Sequence, residues 1–293
     1  MTLALWVVGS LTAACLVAPA VYSALLMTMD WVPWPYSRVF NRVALLLAVV
    51  TLWAVRSRLD FPAVARAWRR ETWHGRAVRV SLGLGLALGL ALAVLPLIVA
   101  GGEVRWSPAP NHLLALRVVK GIPGALAASF LEEAFFRVIV FGGLALRWSP
   151  GWAAVASSAF YGWVHFLTPR HDFVYPGWSP TVGLEYLGLV MEAFTDAPVL
   201  RGFAGLVLIG LVLCLVYHRF GSLALCVGLH AGWFVAGKAG VHLLQLTPQA
   251  TIAAAAGKRL FLVGQPWSWL TVAAVALILA LVRRSVLRPQ GLK

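Results

Sequence analysis

The sequence is short of charged residues, and above all of acidic ones. Its 293 residues include 10 aspartates and glutamates against 24 lysines and arginines, and only 12% of the chain is charged. Soluble domains average about 25% charged residues, whereas hydrophobic residues here reach 61%, with a mean hydropathy of +0.84. These values exclude an ordinary soluble globular domain. Apolar runs recur along the whole chain, which is typical of a protein with several transmembrane helices.

Cysteine is also scarce. The three cysteines, Cys15, Cys214 and Cys226, lie in apolar segments and form no CxxC pair, which excludes a disulfide framework and a zinc knuckle. The net charge of +14 would suggest nucleic acid for a soluble protein. The basic residues, however, occupy short segments between apolar runs, where membrane topology and anionic lipid explain them. We therefore predict no nucleic-acid partner.

Apolar windows of about 20 residues predict an all-α, polytopic membrane bundle of about eight transmembrane helices. The predicted spans are residues 3–28, 42–56, 80–100, 122–146, 151–168, 200–218, 221–242 and 267–283. A further stretch, 181–194, contains Glu185 and Glu192 and is predicted to be an interfacial or re-entrant helix. The glycines of "SLGLGLALGLALAVLPL" predict close contact between helices.

The distribution of basic residues predicts the topology. The connection 56–79 is rich in arginine, which places it in the cytoplasm, and the tail "RRSVLRPQGLK" falls on the same side when eight spans separate them. We expect an integral protein of a bacterial inner (cell) membrane with both termini cytoplasmic. The predicted domains are N-terminal helices with the arginine-rich loop (1–110), a core of helices (111–245), and a last helix with the basic tail (246–293).

Five ionisable side chains stand out because they lie within predicted spans, where a charge costs about 2.5–3.5 kcal/mol and indicates function. Glu132, Glu133 and Arg137 occur in "SFLEEAFFRVIVFGG" on the fourth span, His165 in "SSAFYGWVHFL" on the fifth, and His230 in "GLHAGWF" on the seventh. The i, i+4 spacing of Glu133 and Arg137 predicts an ion pair. Glu132 points about 100° away around the helix and can face another group.

Each of these features alone has a structural explanation, such as a hydrogen-bonded core histidine or glycines that admit a neighbouring helix. Together they suit hydrolysis of an amide within the membrane, since a carboxylate and an imidazole can activate water while a second imidazole stabilises an oxyanion. Two glutamates and two histidines are also plausible zinc ligands. A G-x-S-x-G elbow and an HExxH motif are both absent from the sequence, which disfavours those two protease classes.

Three segments in order carry a family resemblance. "EEAFFR", "YGWVH" and "HAGWF" resemble the EExxxR, aromatic-xxx-His and HxxxN motifs of the CPBP family, over roughly residues 122–242. This family includes the type II CAAX prenyl endopeptidases and bacterial intramembrane proteases. The resemblance implies an eight-helix glutamate-type endopeptidase in which Glu132 and His165 activate the water and His230 helps to form the oxyanion hole. Glu133 and Arg137 would support the site electrostatically.

One position departs from the family pattern. The third motif ends in asparagine in the family, whereas residue 234 here is phenylalanine. Losing one oxyanion donor costs about 100- to 1000-fold in rate. Trp233 or Lys238 could supply a substitute, or Phe234 could mark a member with weak or no proteolysis.

The predicted activity is hydrolysis of a peptide bond near the C-terminus of a membrane-anchored or lipid-modified protein or peptide. The expected partners are that substrate and the lipid bilayer, and no cofactor is required. The alternatives are a zinc-dependent version of the same protease and a non-catalytic membrane protein for immunity or scaffolding. Proton-coupled transport is a further alternative, disfavoured because the sequence shows no internal repeat of the transporter kind.

Overall fold

A computed structural model describes residues 2–29, 32, 34–54, 60–107, 111–167, 173–253, 262–282 and 287 of the chain. The described secondary structure is almost entirely helical, which confirms the predicted all-α class. The chain divides into two compact units, residues 1–60 with 164–197, and residues 61–163 with 198–293. The predicted functional division after residues 110 and 245 stays a prediction. Arg56, Arg58 and nearly all of the basic tail lie outside the described residues.

The described helices and strands follow one another along the chain. They are α1 (Thr2–Thr28), α2 (Tyr36–Ala54), α3 (Phe61–Arg69), α4 (Trp73–Ala93), α5 (Leu95–Ala100), β1 (Val104–Trp106), α6 (Asn111–Glu133), a π-helix (Ala134–Phe141), α7 (Gly142–Ala145), α8 (Pro150–Val164), α9 (Val182–Glu192), a 3₁₀ turn (Ala193–Thr195), α10 (Ala197–Phe220), α11 (Leu223–Leu243), β2 (Leu244–Leu246), α12 (Pro248–Ala253) and α13 (Pro266–Leu281).

Each predicted span coincides with helical structure among the described residues. Within that part of the chain, four helices are long and apolar enough to cross a membrane: Val8–Thr28, Trp73–Ala100, Ala197–Phe220 and Leu223–Leu243. The membrane bundle is therefore confirmed, while the count of about eight spans stays a prediction. Helix α9, in the stretch predicted not to span, has 11 residues, which is too short to cross a hydrocarbon core of about 30 Å.

Two predicted spans differ from the structure in ways that bear on the site. The fourth was expected as one α-helix from 122 to 146, but the helix begins at Asn111 and changes to a π-helix from Ala134 to Phe141. The fifth was expected to continue to 168, but α8 ends at Val164. Pro169 excludes a continuation beyond residue 168, because in a helix its ring would meet the carbonyl group of His165.

The first unit is built around aromatic side chains. Tyr36 on α2 is buried. The centre of its ring lies 5.4 Å from the ring centre of Tyr22 on α1. The ring centres of Tyr175 and of Tyr186 on α9 lie 5.2 Å and 5.3 Å from it. Edge and offset contacts of this kind add to the energy gained by burial. The Tyr175 hydroxyl also donates to the carbonyl oxygen of Pro19 at 2.9 Å, which fixes the segment before α9 against α1.

In the second unit, glycines allow α4 and α11 to approach closely. A Cβ on Gly83 would lie 2.7 Å from the backbone nitrogen of Leu229, and one on Gly228 would collide with the carbonyl group of Val80. A Cβ on Gly232 would likewise lie 2.7 Å from the carbonyl oxygen of Leu84. The close helix contact predicted for the glycine-rich run is confirmed at Gly83, whereas a Cβ on Gly85 or Gly89 would meet nothing within 4 Å, so the prediction is wrong for those two. Gly228 and Gly232 flank His230, so the contact fixes the part of α11 that carries this histidine.

The N-terminus of α11 is fixed by a polar contact that the sequence did not reveal. Ser222 caps the helix by accepting a hydrogen bond from the backbone N–H of Leu225 at 3.1 Å, and its hydroxyl donates to Glu71 at 2.7 Å. Glu71 is buried and also pairs with Arg79 at 3.2 Å. At the other end of α11, β2 pairs antiparallel with β1, and Leu244 lies opposite Trp106.

Candidate active site

A fully buried ion pair lies where α6 meets the π-helix. The Nε atom of Arg137 donates to Glu133 Oε2 at 2.7 Å, and Nη2 lies 3.4 Å from Glu133 Oε1. Both side chains have no exposed surface. The predicted i, i+4 pair is thus confirmed. Burying two charges is costly unless they are paired with good geometry, and this fork-like arrangement meets that condition.

The π-helix presents Arg137 to its partners. It begins directly after Glu133 and includes Arg137, and the hydroxyl of Ser157 on α8 donates to the carbonyl oxygen of Phe136 at 3.2 Å. Insertions of π-helix within α-helices are rare and frequent at functional sites. The α-helical periodicity assumed from the sequence does not hold across this segment, so the orientations around Arg137 could not be predicted from it.

Arg137 also contacts groups on other helices. Its Nη1 atom lies 3.3 Å from Cys214 Sγ on α10, and its guanidinium carbon lies 5.3 Å from the centre of the Tyr161 ring on α8. A cation over an aromatic face is attracted to it, and the attraction is strong where water is excluded. Arg137 therefore connects the π-helix, α8 and α10 around the buried carboxylate of Glu133.

His230 brings α11 to the same carboxylate. Its Nδ1 atom lies 2.8 Å from Glu133 Oε1, and the residue is 5% exposed. Glu133 is held as a carboxylate by Arg137 and can only accept hydrogen bonds, so Nδ1 carries the proton. In the neutral imidazole this leaves Nε2 as a hydrogen-bond acceptor. A carboxylate thus fixes the tautomer and the orientation of the ring.

The Nε2 atom of His230 faces the second glutamate, Glu132. Glu132 Oε2 lies 3.7 Å from it, and the Glu132 side chain is 31% exposed. The hydroxyl of Tyr161 lies 3.4 Å from the same nitrogen. The distance between Glu132 and His230 is too long for a direct hydrogen bond and allows one water molecule to contact both atoms. Two glutamates on α6 therefore flank one imidazole, each on a different side.

The fifth predicted site residue lies elsewhere in the chain. His165 was expected inside a span, but the structure places it in the turn after Val164, where it is partly buried. It belongs to the first unit, whereas Glu132, Glu133, Arg137 and His230 belong to the second. The predicted role of His165 therefore stays a prediction that depends on the family resemblance.

The structure shows where the two residues suggested as substitutes for the missing asparagine lie. Trp233 is buried and lines an apolar cavity of about 60 Å³ with Leu95 and Ile98, a lining that contains none of the acidic residues. Lys238 is exposed, and its Nζ lies 5.0 Å from the centre of the Phe234 ring. Tyr161 is a closer candidate than either, since its hydroxyl contacts His230 directly. The signal in the sequence was the hydroxylated aromatic in "YGWVH".

The arrangement of these side chains also bears on whether the site could bind a metal ion. In the described part of the chain, no group of three or more His, Cys, Asp or Glu side chains is arranged to hold a metal ion. Both oxygens of Glu133 are engaged, Oε2 by Arg137 and Oε1 by His230, so this carboxylate is poorly placed to bind a cation. Glu132 and His230 Nε2 remain as two candidate donors in this unit.

Comparison with known proteins bears on the same segment. The family model for the type II CAAX prenyl endopeptidase Rce1-like proteins matches residues 114–236. The chain carries an Rce1-like segment. The predicted resemblance to the CPBP family is confirmed, and so is the prediction of a peptidase, since this is a peptidase family. No curated protein and no solved structure matches the chain.

The matched segment extends from α6 to α11 and includes both glutamates, Arg137 and His230. The helices able to cross a membrane and the Rce1-like segment together support an integral membrane protein and a CAAX-type intramembrane protease. Its partners at this level are the lipid bilayer and a peptide substrate.

Proposed function

We propose that this Rce1-like protein is a glutamate-type endopeptidase that cuts near the C-terminus of a membrane-anchored or lipid-modified protein or peptide. Its proposed location is a bacterial inner membrane, with both termini cytoplasmic. The observation that carries the proposal is the placement of Glu132 Oε2 and His230 Nε2 at 3.7 Å, beside a carboxylate whose charge is already balanced by Arg137. One acid is neutralised by Arg137, and the other faces His230 Nε2.

The first step uses a water molecule held between Glu132 and His230. Glu132 takes one proton from the water, and the oxygen of that water bonds to the scissile carbonyl carbon. This gives a tetrahedral oxyanion. His230 Nε2 accepts a hydrogen bond and orients the water, because Glu133 fixes the proton on Nδ1. His230 could donate to the oxyanion, as the resemblance implies, only after it has itself taken up a proton.

The second step releases the product amine. The tetrahedral intermediate collapses, the C–N bond breaks, and the proton on Glu132 passes to the leaving nitrogen. Tyr161 is the hydroxyl donor within reach of this centre, at 3.4 Å from His230 Nε2, and we assign it to the oxyanion in place of the absent asparagine. A donor aimed at the developing charge stabilises it strongly in a site that excludes water.

A metal-independent reaction is favoured over the zinc-dependent alternative because Glu133 is engaged by Arg137 and His230. A chelator should leave the rate unchanged, and restoration of a chelator-sensitive rate by Zn²⁺ would support the alternative. The non-catalytic alternative takes its support from Phe234. Detection of cleavage products from the wild-type protein, absent with Glu132→Gln, would overturn it.

The test is cleavage of a fluorogenic, lipid-anchored peptide by the full chain in vesicles, with the products identified by mass spectrometry. Glu132→Gln keeps the shape of the side chain and removes the base, so kcat should fall by about 1000-fold or more. Equal product formation by the wild type and by Glu132→Gln would contradict the site. Leu131→Ala serves as a control, since Leu131 is 68% exposed on the same helix and the substitution keeps an apolar side chain.

A further inference from the structure

A groove between α10 and α13 lies apart from the candidate active site. It encloses a cavity of about 380 Å³ near the C-terminal ends of the two helices, and neither glutamate of the site nor His230 lines it. This volume falls in the range of about 300–1,000 Å³ that is usual for ligand pockets. Seven of the nine lining residues are apolar, and the other two are His218 and Arg219. The groove is therefore apolar with a basic end.

The apolar part of the groove is elongated. Its lining residues on α10 recur at steps of three and four residues from Val212 to Phe220, and those on α13 do so from Ala276 to Ala280. This spacing places side chains on one face of each helix. From Val212 to Arg219 an α-helix advances about 10 Å at roughly 1.5 Å per residue. Two parallel apolar stripes of this length suit a hydrocarbon chain.

Arg219 is held at the end of the groove. Its Nη2 atom donates to the carbonyl oxygens of Ala280 at 3.1 Å and Val282 at 3.2 Å, where α13 ends. Its guanidinium carbon also lies 5.5 Å from the centre of the Phe220 ring. His218 precedes it, and both side chains are exposed. Long basic side chains near the ends of membrane helices reach the level of the lipid headgroups.

Other basic residues lie at the same end of the second unit. The Nε atom of Arg79, near the start of α4, donates at 2.9 Å to the carbonyl oxygen of Leu287, which follows α13. The C-terminal end of α13 thus lies beside the arginine-rich start of α4. Anionic lipids are attracted to clusters of this kind. The charge at the end of the groove therefore complements an anionic headgroup.

We propose that the groove between α10 and α13 binds an anionic phospholipid, with its phosphate at Arg219 and His218 and one acyl chain along the apolar stripes. A guanidinium pairs strongly with phosphate, and an imidazole N–H also donates to it. Bilayer tails are as apolar as the groove itself, so the tail alone gives little selectivity. The headgroup therefore selects the lipid, and the groove sets where its chain lies.

The experiment is native mass spectrometry of the full chain in a mild detergent, titrated with phosphatidylglycerol or phosphatidylcholine of the same acyl chains. The wild type should bind phosphatidylglycerol about tenfold more tightly. Arg219→Met should lower that binding to the level of phosphatidylcholine. Arg201→Met is the matched control, since Arg201 is an exposed arginine near the other end of α10 and should leave the preference intact.

A second variant tests the groove without altering Arg219, which also contacts the end of α13. Ala276→Phe fills the apolar part and should reduce the binding of phosphatidylglycerol by about tenfold. Leu277→Phe is its control, because Leu277 is 62% exposed on α13 and does not line the cavity. Thermal unfolding of each variant shows whether it is folded. These measurements require no cleavage, so their outcome is independent of the proposed function.

Several outcomes would overturn the inference. Equal binding of the two lipids by the wild type would do so, and so would a preference that survives Arg219→Met or binding that survives Ala276→Phe. Displacement by inorganic phosphate would show a site for a free anion, and displacement by a lipid-anchored peptide would assign the groove to the substrate. A lipid-free dimer that is lost with Ala276→Phe would place a second copy of the chain there.

Discussion

Glu132 and Glu133 are neighbours in the chain, yet they lie in opposite surroundings. Glu133 has no exposed surface and is held by Arg137 and by His230 Nδ1, whereas the Glu132 side chain is 31% exposed and faces His230 Nε2. In the proposed mechanism, the same imidazole therefore has a fixed side and a reactive side. The difference teaches that two neighbouring residues of one type can differ in burial and partners, and the proposed mechanism assigns one carboxylate to structure and the other to chemistry.

We expect the largest effect from a substitution in the buried ion pair, as a loss of stability. Arg137→Met removes the partner of Glu133 and leaves a carboxylate without compensation in the core, which should lower the free energy of unfolding by about 3–5 kcal/mol. The loss is measured by thermal or denaturant unfolding in a mild detergent. Arg105→Met is a comparison variant, because Arg105 lies on the exposed side of β1. A stability equal to that of the wild type would show that the buried pair does not hold the site together.

A substitution on the side of His230 that faces Glu132 should lower the reaction rate and leave the free energy of unfolding unchanged. Tyr161→Phe removes the hydroxyl that lies 3.4 Å from His230 Nε2 and leaves the packing of the ring in place. If that hydroxyl stabilises the oxyanion, kcat should fall by about 100-fold with little change in KM. A fall in unfolding stability that accounts for the lost activity would instead place Tyr161 with the structural residues.

A smaller effect is expected when the family residue is restored. In the Tyr161→Phe background, Phe234→Asn supplies an amide donor one turn after His230 and should recover about tenfold in kcat. The same substitution in the wild type should change the rate by less, because Tyr161 already fills the role. Equal effects in the two backgrounds, seen in a double-mutant cycle, would show that residues 161 and 234 act independently.

Much of the helical architecture could be predicted from the sequence. The apolar windows located the helices because hydrophobic length is a local property, and the pair Glu133–Arg137 followed from a spacing of four residues. The glycines on both sides of His230 also indicated a close helix contact, and they meet α4. These are features that a short segment of chain determines for itself.

The finer geometry of the site could not be predicted in the same way. The π-helix from Ala134 to Phe141 breaks the periodicity that would orient the side chains, and the sequence carries no simple signal for it. The proton position on His230 depends on Glu133, which is 97 residues away in the chain. The contact of Tyr161 with His230 likewise joins α8 to α11. Such long-range contacts depend on how the helices are arranged.

The end of the fifth helix was predicted wrongly for a different reason. The apolar run "SSAFYGWVHFL" continues past Val164 and predicts His165 inside a span, whereas α8 ends at Val164. Hydropathy measures only apolar content, and Pro169 limits how far the helix can extend. Weight given to this proline ends the helix before residue 169 but does not locate its end at Val164.

The most direct test compares Glu132→Gln and Glu133→Gln for both activity and unfolding in the same detergent. Glu132→Gln should unfold like the wild type, within about 0.5 kcal/mol, as expected for a partly exposed position. Its kcat should nevertheless fall by about 1000-fold. Glu133→Gln should lose about 3–5 kcal/mol of stability because Arg137 would be left without its carboxylate. A stable Glu133→Gln protein, or an active Glu132→Gln protein, would contradict the division of roles between the two glutamates.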